Sequence, residues 1–68
     1  MRIQLNGEPY EVEPSMSIAA LLERLQINPR LVAVEYNGIV IRRARYADTM
    51  IDEGAEVEIV AFVGGGHV

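Results

Sequence analysis

The stretch Ser17 to Leu25, SIAALLERL, is the part of the sequence that decides the fold class. Its apolar residues recur at the spacings i, i+3, i+4 and i+7, and they are Ile18, Leu21, Leu22 and Leu25. This period predicts an amphipathic helix with a single apolar stripe. Ser17 is the expected N-cap, and Asn28-Pro29 is expected to end the helix, which would then be about nine to eleven residues long.

A hairpin is predicted on each side of this helix. The strand-like runs lie at residues 2–5, 8–12, 31–36 and 39–41. Asn6-Gly7 separates the first two runs and Asn37-Gly38 the last two. Asn-Gly is the preferred pair for a two-residue type I′ turn, which needs φ > 0 at both positions. Pro9 cannot donate a backbone hydrogen bond, so the second strand is expected at an edge of the sheet.

The last predicted strand, residues 56–63, alternates between two faces. The side chains expected to face the helix are Val57, Ile59, Ala61 and Val63. The opposite set begins with Glu56 and Glu58 and ends with Val60 and Phe62. Val60 and Phe62 are therefore expected on the open face of the sheet, beside the end of the chain. Isolated exposed apolar residues are ordinary, and their position beside the glycines is what favours an interface here.

The order hairpin, helix, hairpin, connector, strand predicts an α+β domain with a mixed sheet of four to five strands packed on one main helix. The connector, residues 42–50, is expected to contain one turn of helix near Tyr46, and Asp52-Glu53-Gly54 is expected to form a turn before the last strand. Residues 1–63 would form the domain. Residues 64–68 would be a flexible, glycine-rich C-terminal tail.

Composition excludes several classes of site. The 68 residues include no cysteine and one histidine, which removes disulfides, thiolate nucleophiles and Cys/His zinc sites. The formal net charge of −4 has the wrong sign for a general nucleic-acid binder and favours a basic partner surface. No stretch approaches the roughly 20 apolar residues that span a bilayer, and the N-terminus lacks the apolar run of a signal peptide, so no membrane association and a cytoplasmic location are expected.

The glycines at 64–66 need their own explanation, because glycine packs no side chain and loses the most backbone entropy on ordering. One explanation is a frayed terminus. The other is an extended segment that enters a channel too narrow for side chains and leaves a C-terminal carboxyl group open to attack. Residues 63–66 could reach roughly 13 to 14 Å, enough to enter a partner's active site while the domain stays outside.

Four motifs, in this order and spacing, carry a family resemblance: NGEPYEV (6–12), VAVEYNGIVI (32–41), Asp52-Glu53-Gly54 and EIVAFVGGG (58–66). Across the whole predicted domain the sequence resembles the ThiS family of ubiquitin-like sulfur carriers, which is related to MoaD and more distantly to ubiquitin. The resemblance implies a β-grasp fold in which the first and last strands pair in parallel at the centre of the sheet.

The resemblance also implies a function. The protein would be a carrier and not an enzyme, and it would bind no cofactor itself. A ThiF-like adenylating enzyme would use ATP and magnesium to activate the carboxylate of the last glycine. Sulfur supplied through a cysteine desulfurase route would convert it to a thiocarboxylate, which would donate sulfur to thiazole synthase for the thiazole of thiamine.

By the same resemblance Gly66 is the expected bearer of the thiocarboxylate, and Gly64 and Gly65 would thread the channel. Val60 and Phe62 match the apolar docking side of the last strand. Two other features have plainer interpretations. The arginines of the connector, Arg42, Arg43 and Arg45, are more often a solvated charge cluster than a contact for acidic partner residues, and Tyr46 is expected to be a packing residue.

His67 and Val68 depart from the family pattern, because with them attached Gly66 has no free carboxylate. The hypothesis is that a peptidase removes them. Some carriers outside thiamine synthesis resemble this arrangement and serve methionine, cysteine or specialised metabolite pathways, so a carrier for one of these pathways, or for molybdopterin, stays open. A ubiquitin-like modifier that joins lysines on other proteins, and a plain binding domain with an unreactive tail, are further alternatives.

Overall fold

The computed structural model describes residues 1–62. It contains a five-stranded mixed sheet and one α-helix. The strands are β1 (Arg2–Leu5), β2 (Glu8–Glu11), β3 (Val32–Tyr36), β4 (Ile39–Ile41) and β5 (Glu56–Ala61). The helix α1 is Ile18–Arg24, and short 3₁₀ helices lie at Pro29–Leu31 and Arg43–Arg45. The predicted α+β class and β-grasp architecture are confirmed.

The sheet has the order β2-β1-β5-β3-β4, so the first and last strands of the chain meet at its centre. β1 and β5 pair in parallel, with Gln4 opposite Glu56 and Leu5 opposite Val57. All other pairs are antiparallel. β2 forms an edge, as Pro9 predicts. The central parallel pair confirms the strand arrangement that the family resemblance implied.

Both Asn-Gly turns have the predicted conformation. Asn6 and Gly7 have φ values of 51° and 83°, and Asn37 and Gly38 have 52° and 83°. The two asparagines also contact β5, which lies between the hairpins. The Ile59 N–H donates to Asn6 Oδ1 over 2.7 Å, and the Glu56 N–H donates to Asn37 Oδ1 over 2.8 Å. Each turn therefore fastens the central strand as well as closing its own hairpin.

The first turn of α1 satisfies its orphan N–H groups with three different partners. Ser17 is the N-cap as predicted, and its Oγ accepts from the Ala20 N–H over 3.1 Å. The N–H groups of Ile18 and Ala19 donate to the carbonyl oxygens of Thr49 and Tyr46, over 2.9 and 3.0 Å. The start of the helix is thereby tied to the connector that precedes β5.

The helix is shorter than predicted, with seven residues, and Asn28-Pro29 does not end it. Gln26 adopts φ 60° and its N–H donates to the Glu23 carbonyl, while the Ile27 N–H donates to Leu22 over 2.9 Å. This pair of bonds is a Schellman motif, which ends the helix at Arg24, four residues before Asn28. Asn28 instead caps the next 3₁₀ helix, where its Oδ1 accepts from the Arg30 N–H over 2.9 Å.

The core lies between α1 and one face of the sheet. Its fully buried large side chains are Ile3, Ile18, Leu21, Leu22, Val34 and Val57. Three residues of the predicted helical stripe are buried, and Leu25 at the C-cap is half-buried. Tyr46, at the end of the second 3₁₀ helix, is 5% exposed and belongs to the same cluster, which confirms it as a packing residue.

Candidate docking face

The candidate site is the open face of the sheet at the C-terminal half of β5. Alternation along this strand places Val57 in the core, at 1% exposure, and leaves Val60 55% and Phe62 56% exposed. The predicted exposure of Val60 and Phe62 is therefore confirmed. Ala61, predicted to face the helix, lies opposite buried Val32 on that face but is itself exposed. Partner docking at Val60 and Phe62 stays a prediction.

The C-terminal half of β5 extends beyond its neighbour on one side. Within residues 1–62, β5 pairs with β1 only through Glu56 and Val57, whereas its pairing with β3 continues to Ala61. Asn6 follows the end of β1, and its side chain takes the next N–H of the ladder, that of Ile59. Beyond this point β5 has a strand partner on the β3 side alone. Phe62 continues on that side, since its N–H donates to the Leu31 carbonyl over 2.9 Å.

The apolar surface at this end of the sheet extends beyond the two predicted residues. Ala33 on β3 lies directly opposite Val60, and Leu31, which is 59% exposed, lies beside Phe62 in the ladder. Together Leu31, Ala33, Val60 and Phe62 form what we call the docking patch. Sequence reasoning missed Leu31 and Ala33, because the alternation of β3 shows which of its residues face outward but not which strand lies beside it.

The other half of the open face is acidic. Glu35 on β3 lies directly opposite Glu58 on β5, and Glu56 follows on the same face of β5. These glutamates line a shallow depression with Gln4, which is the partner of Glu56 on β1. Like charges that face each other across two strands are destabilising, so a basic group from a partner would relieve this repulsion. The face thus offers an acidic half and an apolar half side by side.

The remaining predicted site residues fall elsewhere. Gly64, Gly65 and Gly66, together with Val63, His67 and Val68, lie outside the described residues. The connector arginines Arg42, Arg43 and Arg45 are exposed at the second 3₁₀ helix, which confirms the predicted helical turn beside Tyr46.

Among residues 1–62, no three His, Cys, Asp or Glu side chains are grouped so that they could hold a metal ion. The only α-helix in this part of the chain has seven residues, too few to cross a membrane.

Comparison with known proteins gives consistent matches. Residues 3–66 match the ThiS family. The chain is 41% identical over 66 residues to a thiazole synthase of Paramagnetospirillum magneticum, covering 97% of this chain but only 20% of that protein. It thus spans about a fifth of the length of this relative. The sulfur carrier protein ThiS of Bacillus subtilis is 35% identical over 65 residues, covering 94% of this chain and 98% of that one.

A solved structure is also similar. The crystal structure of a thiamine biosynthesis protein (ThiS) from Geobacter metallireducens superimposes with a TM-score of 0.86 at 35% sequence identity. The superposition covers 97% of this chain and all of that one. With the family match over residues 3–66 and the parallel central strands of a β-grasp sheet, the protein belongs to the ThiS family of ubiquitin-like sulfur carriers.

Proposed function

We propose that this protein carries sulfur for the formation of the thiazole ring of thiamine, with Gly66 as the residue that bears it. The observation that carries the proposal is the family match, which runs through the domain and extends to Gly66. The similar proteins support the pathway. One is a thiazole synthase, one is a sulfur carrier, and the similar solved structure is of a thiamine biosynthesis protein.

The chemistry begins at the C-terminal carboxylate of Gly66. A carboxylate resists nucleophiles, so a ThiF-like enzyme first joins it to the AMP part of ATP and releases pyrophosphate, with magnesium bound to the nucleotide. The resulting acyl-adenylate has a good leaving group. The terminal sulfur of a persulfide, formed through a cysteine desulfurase route, attacks this acyl group and AMP leaves. A thiol then cleaves the resulting acyl disulfide reductively, and the thiocarboxylate so released delivers sulfur to thiazole synthase. The carrier is a cosubstrate in each of these steps and supplies the acyl group and the docking surface.

The docking patch supports this division of labour. It offers two exposed large side chains, Val60 and Phe62, within four to six residues of Gly66 along the chain. From Phe62, four extended residues reach roughly 13 to 14 Å. When a partner covers the patch, Gly66 could therefore reach no farther than this distance into that partner. The acidic half beside the patch, with Glu35 and Glu58, would meet basic groups of the same partner.

His67 and Val68 must be separated from Gly66 before its carboxylate can react. We propose that a peptidase makes this cut. The experiment is the intact mass of the protein recovered from its own host, grown without thiamine and again with it. A chain that ends at Gly66, with a fraction heavier by the exchange of one oxygen for sulfur, is the expected result, and that fraction should be larger without thiamine.

The same measurement separates the alternatives. Thiocarboxylate that responds to sulfur amino acids and not to thiamine would assign the carrier to another pathway. Conjugates of the chain with lysines of other proteins would indicate a protein modifier. Chains that all retain Val68 under both conditions would contradict the proposal. A host that lacks the adenylating enzyme is the control, and it should yield chains ending at Gly66 without the heavier fraction.

A further inference from the structure

A preformed groove lies on the helix side of the molecule, across the sheet from the open face. It runs between α1, the 3₁₀ helix at Pro29–Leu31, and the connector. Its apolar lining is formed by Ala19, Leu22, Ile27, Pro29, Ala44 and Tyr46. The volume of about 570 Å³ falls within the range of roughly 300 to 1,000 Å³ that is typical of binding pockets.

The walls of this groove are held by hydrogen bonds that belong to the fold. The Ala19 N–H donates to the Tyr46 carbonyl over 3.0 Å, which fixes the connector against the helix. At the other end, the Schellman motif at Gln26 and the cap of Asn28 fix the turn that follows α1. Leu22 and Tyr46 are buried and form the floor. Because the walls are already ordered, binding of an occupant would not incur the entropic cost of ordering them.

The charge around the groove is opposite to that of the whole protein. The two segments that build it, residues 19–30 and 42–48, contain five of the six arginines and only two carboxylates, whereas the chain as a whole has a formal net charge of −4. Arg43 lines the groove itself, with Arg42 and Arg45 in the adjoining turn. The ion pairs that form within residues 1–62 use Met1, Arg2 and Glu11, so none of these five arginines takes part in one.

The two walls differ in charge. Glu23 and Gln26 lie on the α1 wall, and Arg43 lies on the connector wall. An occupant would therefore insert apolar side chains between the walls and direct its carboxylates toward the connector. This arrangement is complementary to one face of an acidic amphipathic helix, whose apolar residues recur every three or four positions.

We infer that the groove is a second docking site, separate from the docking patch, for an acidic amphipathic segment of a partner protein. The groove and the docking patch share no lining residue, although the 3₁₀ helix at Pro29–Leu31 borders both. Because α1 and the connector pack on the face of the sheet opposite Val60, we expect that both sites can be occupied at the same time. A partner held in the groove would stay bound while the docking patch engages an enzyme. The inference does not depend on the chemistry of Gly66.

The test is a titration of the full-length, ¹⁵N-labelled protein with a synthetic helical peptide. The peptide has leucines every three or four positions and aspartates or glutamates between them, and the control peptide has lysines in place of the acidic residues. The acidic peptide should shift the amide signals of Ala19, Leu22, Ala44 and Ala47, and the lysine peptide should not. Raising the salt from about 0.1 M to about 1 M should weaken the binding, because the Debye length falls from about 10 Å to about 3 Å.

Two variants sharpen the result. Ala47→Gln places a longer, uncharged side chain into the groove from an exposed lining position, and Arg43→Glu reverses the charge of the connector wall. Each variant should weaken binding of the acidic peptide by about tenfold or more. The first variant blocks access to the groove, and the second places a like charge opposite the carboxylates of the peptide. Val40→Ala truncates an exposed residue on the opposite face, outside the docking patch, and this control should bind the peptide as the wild type does. Unchanged melting temperatures establish that the variants are folded.

Three outcomes would overturn the inference. The first is equal binding of the acidic and lysine peptides, and the second is a set of shifts confined to the open face or absent altogether. The third is a shift of the groove signals when the protein is concentrated without peptide, which would identify a second copy as the occupant. Failure of the proposed sulfur chemistry would leave all of these readouts unchanged, so the two proposals fail separately.

Discussion

The two halves of β5 receive different support from the fold. The first half lies between two strands, and the turn asparagines accept from the N–H of Glu56 at its start and the N–H of Ile59 just beyond it. The second half has β3 on one side only, and its open-face side chains Val60 and Phe62 are more than half exposed. The first half of β5 is thus fixed within the sheet, and we call it the anchored half. The second half exposes its side chains, and we call it the presented half. Substitutions in the first half should change stability, and those in the second half should change binding.

The largest effect is expected beyond the presented half. Gly65→Val should abolish adenylation of a chain that ends at Gly66, because a branched side chain would not fit the narrow channel proposed for the adenylating enzyme. The fold should be unaffected. Pyrophosphate exchange with the adenylating enzyme measures the first effect and thermal unfolding the second. Gly65→Ala, which adds one methyl group, should give an intermediate rate. Normal activation of Gly65→Val would rule out the narrow channel.

Val57 in the anchored half provides the corresponding test of stability. Val57→Ala removes two methyl groups from a side chain that is 1% exposed and should lower the free energy of unfolding by about 2 kcal/mol. The same truncation at Val60 should change it by no more than about 0.5 kcal/mol, since that side chain is exposed. Urea denaturation of the two variants measures both values. Equal losses would mean that the two halves of the strand are supported alike.

Phe62 tests the presented half as a binding surface. Phe62→Ala should weaken binding to the adenylating enzyme by about tenfold, which corresponds to about 1.4 kcal/mol, because exposed aromatic residues at the centre of an interface contribute most of its binding energy. Calorimetric titration with the enzyme measures the affinity. Ile39→Ala, which truncates another exposed apolar residue on β4, is the control and should bind normally. Similar losses of affinity in both variants would contradict the assignment of the docking patch as the binding surface.

The turn asparagines test how the anchor is made. Asn6→Gly keeps a residue that tolerates φ > 0 but removes the acceptor of the Ile59 N–H, at a cost of about 0.5 to 1.5 kcal/mol. Asn37→Gly is the matched variant, with the Glu56 N–H as the affected group. Hydrogen exchange should accelerate at Ile59 in the first variant and at Glu56 in the second. Acceleration of both amides in both variants would indicate general loosening instead.

The smallest effect is expected on the exposed surface of the β1–β2 hairpin, where Arg2 Nε donates to Glu11 over 3.1 Å. This hydrogen bond is the main cause that lowers the pKa of Glu11 below 4.5. A lowered folded-state pKa stabilises the protein above the unfolded-state pKa, and the stabilisation is lost as the pH falls through the folded value. The Glu11→Gln variant should therefore have a slightly lower melting temperature than the wild type near neutral pH. The two melting temperatures should coincide well below pH 4.5. A large difference at neutral pH would contradict the exposed, weak character of this pair.

Several features followed from the sequence alone because they depend on local geometry. The two Asn-Gly turns need φ > 0, the stripe of α1 follows from the helical period, and the exposure of Val60 and Phe62 follows from strand alternation. The edge position of β2 followed from the missing donor of Pro9. The family resemblance predicted the central parallel pair and the role of Gly66, and the structure bears only on the first of these.

Only the tertiary structure decided which distant residues meet. The Asn6 side chain reaches Ile59, 53 positions away, and Glu35 faces Glu58 because of the β3–β5 register. Helix α1 ends at a Schellman motif with Gln26, where glycine is the usual residue, so the rule that relies on proline placed its end too late. The groove between α1 and the connector also depends on tertiary packing, because its lining comes from segments that are distant in sequence. Strand order and register are properties of the whole chain, and side-chain periodicity specifies faces but not neighbours.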